Sequence, residues 1–378
     1  MKFATLCLHG ARDRNNSTGA LAVPIYQSAT FAHPGVGRST GYDYARVQNP
    51  TRQVLEELVA RLENGAEALA FASGMAALAA LMELFGPGDR LVVSDDLYGG
   101  SLRLFENISR KNGLRFDYVD TTDPAALAAA LKEKTRAVFL ETPSNPMMKI
   151  TDLAAARALL PPGTLLIVDN TFLTPGLQRP LDLGADLVVH SGTKYLGGHN
   201  DTLAGFLVAK SAAEAARLRE IHKTTGAVLA PLDSFLILRG LKTLPLRLEK
   251  SQANALALAR WLADQRPRVT AVHYPGLPDH PGRAINLRQA TGFGAMISFE
   301  VDREERARGV LEKVRLIHYA ESLGGVETLI TYPLLQTHAD VPPARRAALG
   351  IHERLLRLSV GVEDLADLAA DLERALAD

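Results

Sequence analysis

Lys194 lies in the stretch HSGTKYLGGHND, His190–Asp201, among hydroxyl-bearing residues and just ahead of Gly197-Gly198. A solvated surface lysine needs none of these neighbours. Small polar residues let a backbone approach a ligand closely, and a lysine amine held there can condense with an aldehyde as a Schiff base. Upstream, the stretch LLIVDN presents Asp169 directly after its apolar residues. An aspartate in that position can cap a helix, pair with a positive ring nitrogen or ligate a metal. Ser73-Gly74-Met75 joins the apolar ALAFA to a helix-like run, and free amides at a helix start attract phosphate. Asn145 follows VFLE, and Tyr98 follows LVVSDDL. The histidines and carboxylates show no metal-ligand spacing, so no metal is expected. Ser28, Ser94 and Ser191 lack the surroundings of a hydrolase nucleophile.

Taken together, these groups suit one object with an aldehyde, a basic ring nitrogen, a flat ring and a phosphate, namely pyridoxal 5′-phosphate (PLP). Lys194 would bond the aldehyde, Asp169 would pair with the ring nitrogen, and Tyr98 would stack on the ring. Ser191, Thr193 and the Gly74 and Met75 amides would hold the phosphate.

Such residues need a scaffold that delivers several strand ends to one edge. From Thr51 to Asn64 the pattern is helical, with Val54, Leu55, Leu58, Val59 and Leu62 on one face. Short continuous apolar runs then alternate with helical ones: ALAFA, RLVVSD, LRFDYV, RAVFLE, TLLIVDN, ADLVVHS and AGFLVAK. That alternation predicts an α/β fold with a mostly parallel central sheet covered on both faces. A long helical region over 211–264 leads to AMISFEV, RLIHYA, RLLRLSV and a last helix from Glu363, which read as a smaller α+β domain. The expected division is an N-terminal arm over 1–55, a large domain over 56–250 and a C-terminal domain over 251–378. The arm, with RDRNNSTGA and FAHPGVGRSTGYDY, reads as irregular and in need of a surface to lie on.

Composition bounds the partners. Lysine plus arginine and aspartate plus glutamate number 42 each, so bulk charge recommends neither nucleic acid nor an anionic membrane. Hydrophobic residues at 47% and charged residues at 22% fit a globular protein. No apolar run approaches the roughly 20 residues of a membrane helix, and the N-terminal run is too short for a secretory signal. Cys7 is the lone cysteine, which excludes an intrachain disulfide and suits a reducing cytoplasm.

DNTFLTP, SGTKYLGGHND, ASGMAA, DDLYGG, ETPSNP, LRGLKTL, AESLGGVETL and LRLSVGVEDL resemble, in order and along nearly the whole chain, the Cys/Met-metabolism family of PLP enzymes. The resemblance implies the aspartate aminotransferase-like fold type I of PLP-dependent transferases. YARVQNPTR is similar to the family segment that reaches a neighbouring subunit's site, which implies Tyr44 near the cofactor and, with Tyr98, in catalysis, and Arg46 on its phosphate. LRLSVG implies that Arg357 clamps the substrate α-carboxylate, helped by Asn145 and Ser322. Glu321 would bind a distal ammonium, and Asp43 and Arg103 would add substrate contacts. A homodimer with shared sites, paired further into a homotetramer, is the implied assembly. Departures from sister activities favour γ-replacement, which makes L-cystathionine from an O-acyl-L-homoserine and L-cysteine. The alternatives are α,γ-elimination of cystathionine and sulfhydrylation of O-acetylhomoserine. A non-catalytic regulator on the same fold is opposed by the presence of Lys194 and the lack of a basic, DNA-binding segment.

Overall fold

The computed structural model describes residues 1–12, 16–132 and 134–377. A seven-stranded sheet runs in the order β1-β7-β6-β5-β4-β2-β3. Its strands are β1 Glu67–Phe71, β2 Arg90–Ser94, β3 Arg115–Val119, β4 Thr135–Glu141, β5 Leu165–Asp169, β6 Leu187–Ser191 and β7 Gly205–Ala209. Only β7 runs antiparallel to its neighbours. All the other pairs are parallel, so β1, β2, β4, β5 and β6 end on one edge.

The sheet is apolar on both faces, and its side chains alternate between two cores. Leu69, Val93, Phe139, Ile167 and Val189 belong to one core, whereas Ala70, Val92, Val138, Val168 and Val188 belong to the other. This is the period-2 geometry of a sheet covered by helices on each side, and it explains the unbroken apolar runs in the sequence.

A five-stranded sheet, in the order β10-β11-β12-β9-β8, follows in the C-terminal third. It comprises β8 Val269–His273, β9 Met296–Val301, β10 His318–Tyr319, β11 Leu329–Thr331 and β12 Leu355–Ser359. The expected strand RLIHYA shrinks to the two residues of β10, because Arg315, Leu316 and Ile317 give their amides to the carboxylate of Asp371 instead. The helical region expected over 211–264 is three helices, Ala212–Thr225, Pro231–Leu241 and Leu244–Ala263.

The N-terminal run is not wholly irregular, contrary to the expectation. Helix α1, Phe3–His9, buries Leu6 and Cys7 in the main core of its own chain. Part of the turn-rich RDRNNSTGA, residues 13–15, lies outside the described residues. Beyond it, Leu21 and Val36 are fully exposed until helix α2, Pro50–Leu62, begins. Asn49 caps α2 by accepting the Thr51 and Arg52 amides.

Candidate active site

A cavity of about 360 Å³ opens where the five strand ends meet the second sheet. Helix α3, Gly74–Met82, starts immediately after β1. The Ser73 hydroxyl accepts the Ala76 amide, and Gly74 and Met75, ahead of that bond, line the cavity. A Cβ on Gly74 would stand 3.1 Å from the Cβ of Ser191, so glycine here lets the helix start meet the end of β6. The result is an anion cradle of backbone amides with a hydroxyl beside it. Thr193 also lines the cavity, and its hydroxyl bonds both the amide and the carbonyl of Ala204.

Lys194 sits three residues past the end of β6, and its Nζ donates to the Ser322 hydroxyl at 2.9 Å. Burial and the nearby Arg357 guanidinium lower its pKa to about 8, against a smaller upward pull from Glu321. The amine is therefore far closer to its neutral, nucleophilic form at ordinary pH than a free lysine. Ser322 has φ +129°, a conformation costly for a residue with a side chain, and such strain gathers at functional sites.

Asp169 ends β5, accepts the Thr171 amide at 3.0 Å and opens on the cavity. Thr171 in turn accepts the Ser191 amide, which ties the two strand ends together. Burial raises the Asp169 pKa, with partial relief from the Thr171 hydroxyl and amide. A positively charged ring nitrogen would supply the counter-charge that this carboxylate lacks among its bonded partners. Tyr98 precedes helix α4, Gly99–Leu104. A Cβ on Gly100 would stand only 2.4 Å from its ring, so Gly100 leaves room for the phenol.

Arg357, on β12, is buried. It donates to the Asn145 Oδ1 at 2.8 Å, to the Ser322 carbonyl at 3.3 Å and to the Thr331 hydroxyl at 3.4 Å. All of these acceptors are neutral, and its Nε lacks a partner among the described residues. Desolvation lowers its pKa to about 10. A buried guanidinium without a bonded anion is suited to a ligand carboxylate in bidentate geometry. Glu321, exposed, lines both this cavity and an adjoining outer one of about 900 Å³.

Eleven of the residues expected from sequence thus come together: Gly74, Met75, Tyr98, Asn145, Asp169, Ser191, Thr193, Lys194, Glu321, Ser322 and Arg357 all line one cavity, with Glu321 at its mouth. Four do not line it. Arg46 lies 5.6 Å from the ring centre of Tyr44 and donates to the Lys223 carbonyl, and both are exposed. Asp43 accepts from Ser39 at 2.6 Å and faces His33. Arg103 is paired with Asp340 on the surface. Sequence reasoning missed Glu141, which lines the cavity at the end of β4, and Thr171 and Thr337. The only signal was position: each follows or ends an apolar run or sits in a turn, as many structural residues do.

The donor set fits PLP: a cradle of amides for phosphate, a lysine with a lowered pKa for an aldehyde, and an under-compensated buried carboxylate for a ring cation. Residues 4–377 match the family described as Cys/Met metabolism PLP-dependent enzyme. The chain is 50% identical to the cystathionine gamma-synthase/O-acetylhomoserine (thiol)-lyase of Bacillus subtilis, over 95% of this chain and 92% of that protein. It is 47% identical to the cystathionine gamma-lyase of the same organism, over 100% of this chain and 99% of the relative. The solved cystathionine gamma-lyase of Lactobacillus plantarum, complexed with L-serine, superposes with a TM-score of 0.97 at 44% identity, covering 99% of this chain and 98% of that one. The chain therefore belongs to the Cys/Met-metabolism family of PLP-dependent trans-sulfuration enzymes, and PLP is its cofactor.

Proposed function

We propose that the protein is a cystathionine γ-synthase, which joins an O-acyl-L-homoserine to L-cysteine and releases the free acid. Overall, the Cγ–O bond breaks, a Cγ–S bond forms and the thiol proton leaves with the acid. PLP, when bound, supplies an electron sink for charge withdrawn from the substrate carbons. Lys194 would bond it, Asp169 would face its ring nitrogen and Tyr98 would lie over its ring. Ser191, Thr193 and the Gly74 and Met75 amides would hold its phosphate, joined by Tyr44 and Arg46 from a second copy. Once substrate has displaced it, the Lys194 amine is free to carry protons at the substrate Cα and Cβ. Arg357, with Asn145 and Ser322, fixes the α-carboxylate and so aims Cα at that amine.

The observation that carries this reading is the arrangement of charge. A buried cation without a bonded anion stands beside the lysine, and a carboxylate stands at the mouth. An α-amino acid inside and the ammonium of a second amino acid outside would satisfy both. Support for γ-replacement comes from the 50% identity with the relative named for synthase and thiol-lyase activities. A second reading, α,γ-elimination of cystathionine, is favoured by the whole-chain likeness to the B. subtilis γ-lyase. Product analysis separates the two. Cysteine with O-acetyl-, O-succinyl- or O-phospho-homoserine should yield cystathionine faster than cystathionine alone yields 2-oxobutanoate. The opposite ranking would replace the synthase with the lyase.

A further inference from the structure

One buried acid in the cavity has no part in the scheme above. Glu141 closes β4 and is 6% exposed. Strand register sets it beside Asp169, so two carboxylates stand on adjacent strand ends. One of its oxygens accepts the backbone amide of Tyr98 at 2.8 Å. Its bonded partner is thus a neutral amide, not a cation. The charged groups that face it are Asp169 from β5, Asp96 from the loop after β2 and Arg357 from β12.

We infer that Glu141 is a positioning residue that tethers the backbone of Tyr98 beneath its ring and stands beside Asp169 as the second carboxylate facing the cofactor's ring cation. The tether follows from geometry. Tyr98 opens α4 with no side-chain cap, so the Glu141 bond is what fixes its amide against the end of β4. The charge role follows from the choice of side chain. A glutamine would accept the same amide without the cost of burying an anion, which runs to several kcal/mol in a site like this. Two neighbouring buried carboxylates resist ionising together unless a cation arrives. Burial and mutual repulsion push Glu141 upward, and burial pushes Asp169 the same way. A protonated ring nitrogen relieves both, so the pair holds that proton more firmly than Asp169 would alone.

This inference rests on the proposed roles of Asp169 and Tyr98, and the experiment tells the two levels apart. Cofactor-free full-length protein is titrated with PLP and with 1-deaza-PLP, in which carbon replaces the ring nitrogen. Wild type should bind PLP the more tightly, and equal affinity would remove the Asp169 assignment and this inference with it. Glu141→Gln keeps an acceptor for Tyr98 but loses the charge. It should weaken PLP by about tenfold, one pKa unit's worth of proton affinity, and leave the deaza analogue within about twofold. A wild-type preference that survives unchanged in Glu141→Gln would overturn the charge role alone. Glu141→Ala also loses the acceptor and should weaken both probes. If that variant melts as wild type does and binds both probes as Glu141→Gln does, the tether is refuted. If it fails to fold, the glutamine variant still decides the charge role.

Discussion

Lys194 joins the sequence signal to the chemistry most directly, and its environment makes a measurable demand. The reactive form of the lysine is the free amine, and its lowered pKa comes first from burial and then from Arg357. Uptake of PLP by cofactor-free protein should therefore accelerate as pH rises through about 8 and level off above it. A profile still climbing beyond pH 10, the range of a free lysine, would contradict that environment. Borohydride reduction of the loaded protein should leave the cofactor on the peptide containing Lys194 and on no other. Glu321 gives a second residue-scale prediction. If it binds the ammonium of the thiol substrate, Glu321→Ala should impair cysteine far more than sulfide, which has no ammonium. Loss of a charge-assisted contact costs about 1.5–3 kcal/mol, roughly ten- to a hundredfold in kcat/KM for cysteine. Equal losses with both nucleophiles would make Glu321 structural.

At the scale of elements, the loop carrying Lys194 is held from behind by a helix. Arg247, buried on Leu244–Ala263, donates to the Tyr195 carbonyl at 2.7 Å and to the Gly240 carbonyl at 2.8 Å. Gly198, at φ +74°, gives it room, since a Cβ there would fall 2.2 Å from the guanidinium. Arg247→Met should strand two carbonyls at about 1–3 kcal/mol each, lowering the urea midpoint and loosening cofactor retention together. Arg247→Lys should not rescue it, because one ammonium cannot reproduce the fork. Full recovery with lysine would show that charge, not geometry, is what the loop needs. None of this support was legible in the sequence, where Arg247 is one arginine in a helical pattern. The parallel strands were legible, because burial on both faces writes itself as continuous apolar runs, and strand ends could then be read as site positions. Glu141 was not legible, because its meaning depends on which strand lies beside β4. Helix α1 was missed because seven residues among turn formers carry too little periodicity, although burial of Leu6 and Cys7 against the core stabilises it.

Tyr44 and Arg46 matter at the scale of the whole molecule. Both lie exposed at a turn that does not line the cavity of their own chain, and Leu21 and Val36 on the same arm are fully exposed. Apolar side chains left in water on an arm this long are suited to burial against a second copy. The helix start proposed to hold phosphate offers amides and hydroxyls, and the guanidinium that does line the cavity, that of Arg357, comes from β12 and is bonded to Asn145. A two-fold dimer would satisfy both, with each arm completing the partner's site, because closed symmetry makes the exchange reciprocal. Two inactive variants test this arrangement, Arg46→Ala and Lys194→Ala. After wild type has been shown to dissociate and reassociate with full activity, the variants are mixed, dissociated and reassociated. In a mixed dimer with exchanged arms, one site carries both replacements and the other carries neither. Random mixing makes about half of the dimers mixed, so about a quarter of all sites should regain wild-type function. If Arg46 served its own chain's Lys194, every site would carry one defect and mixing would restore nothing.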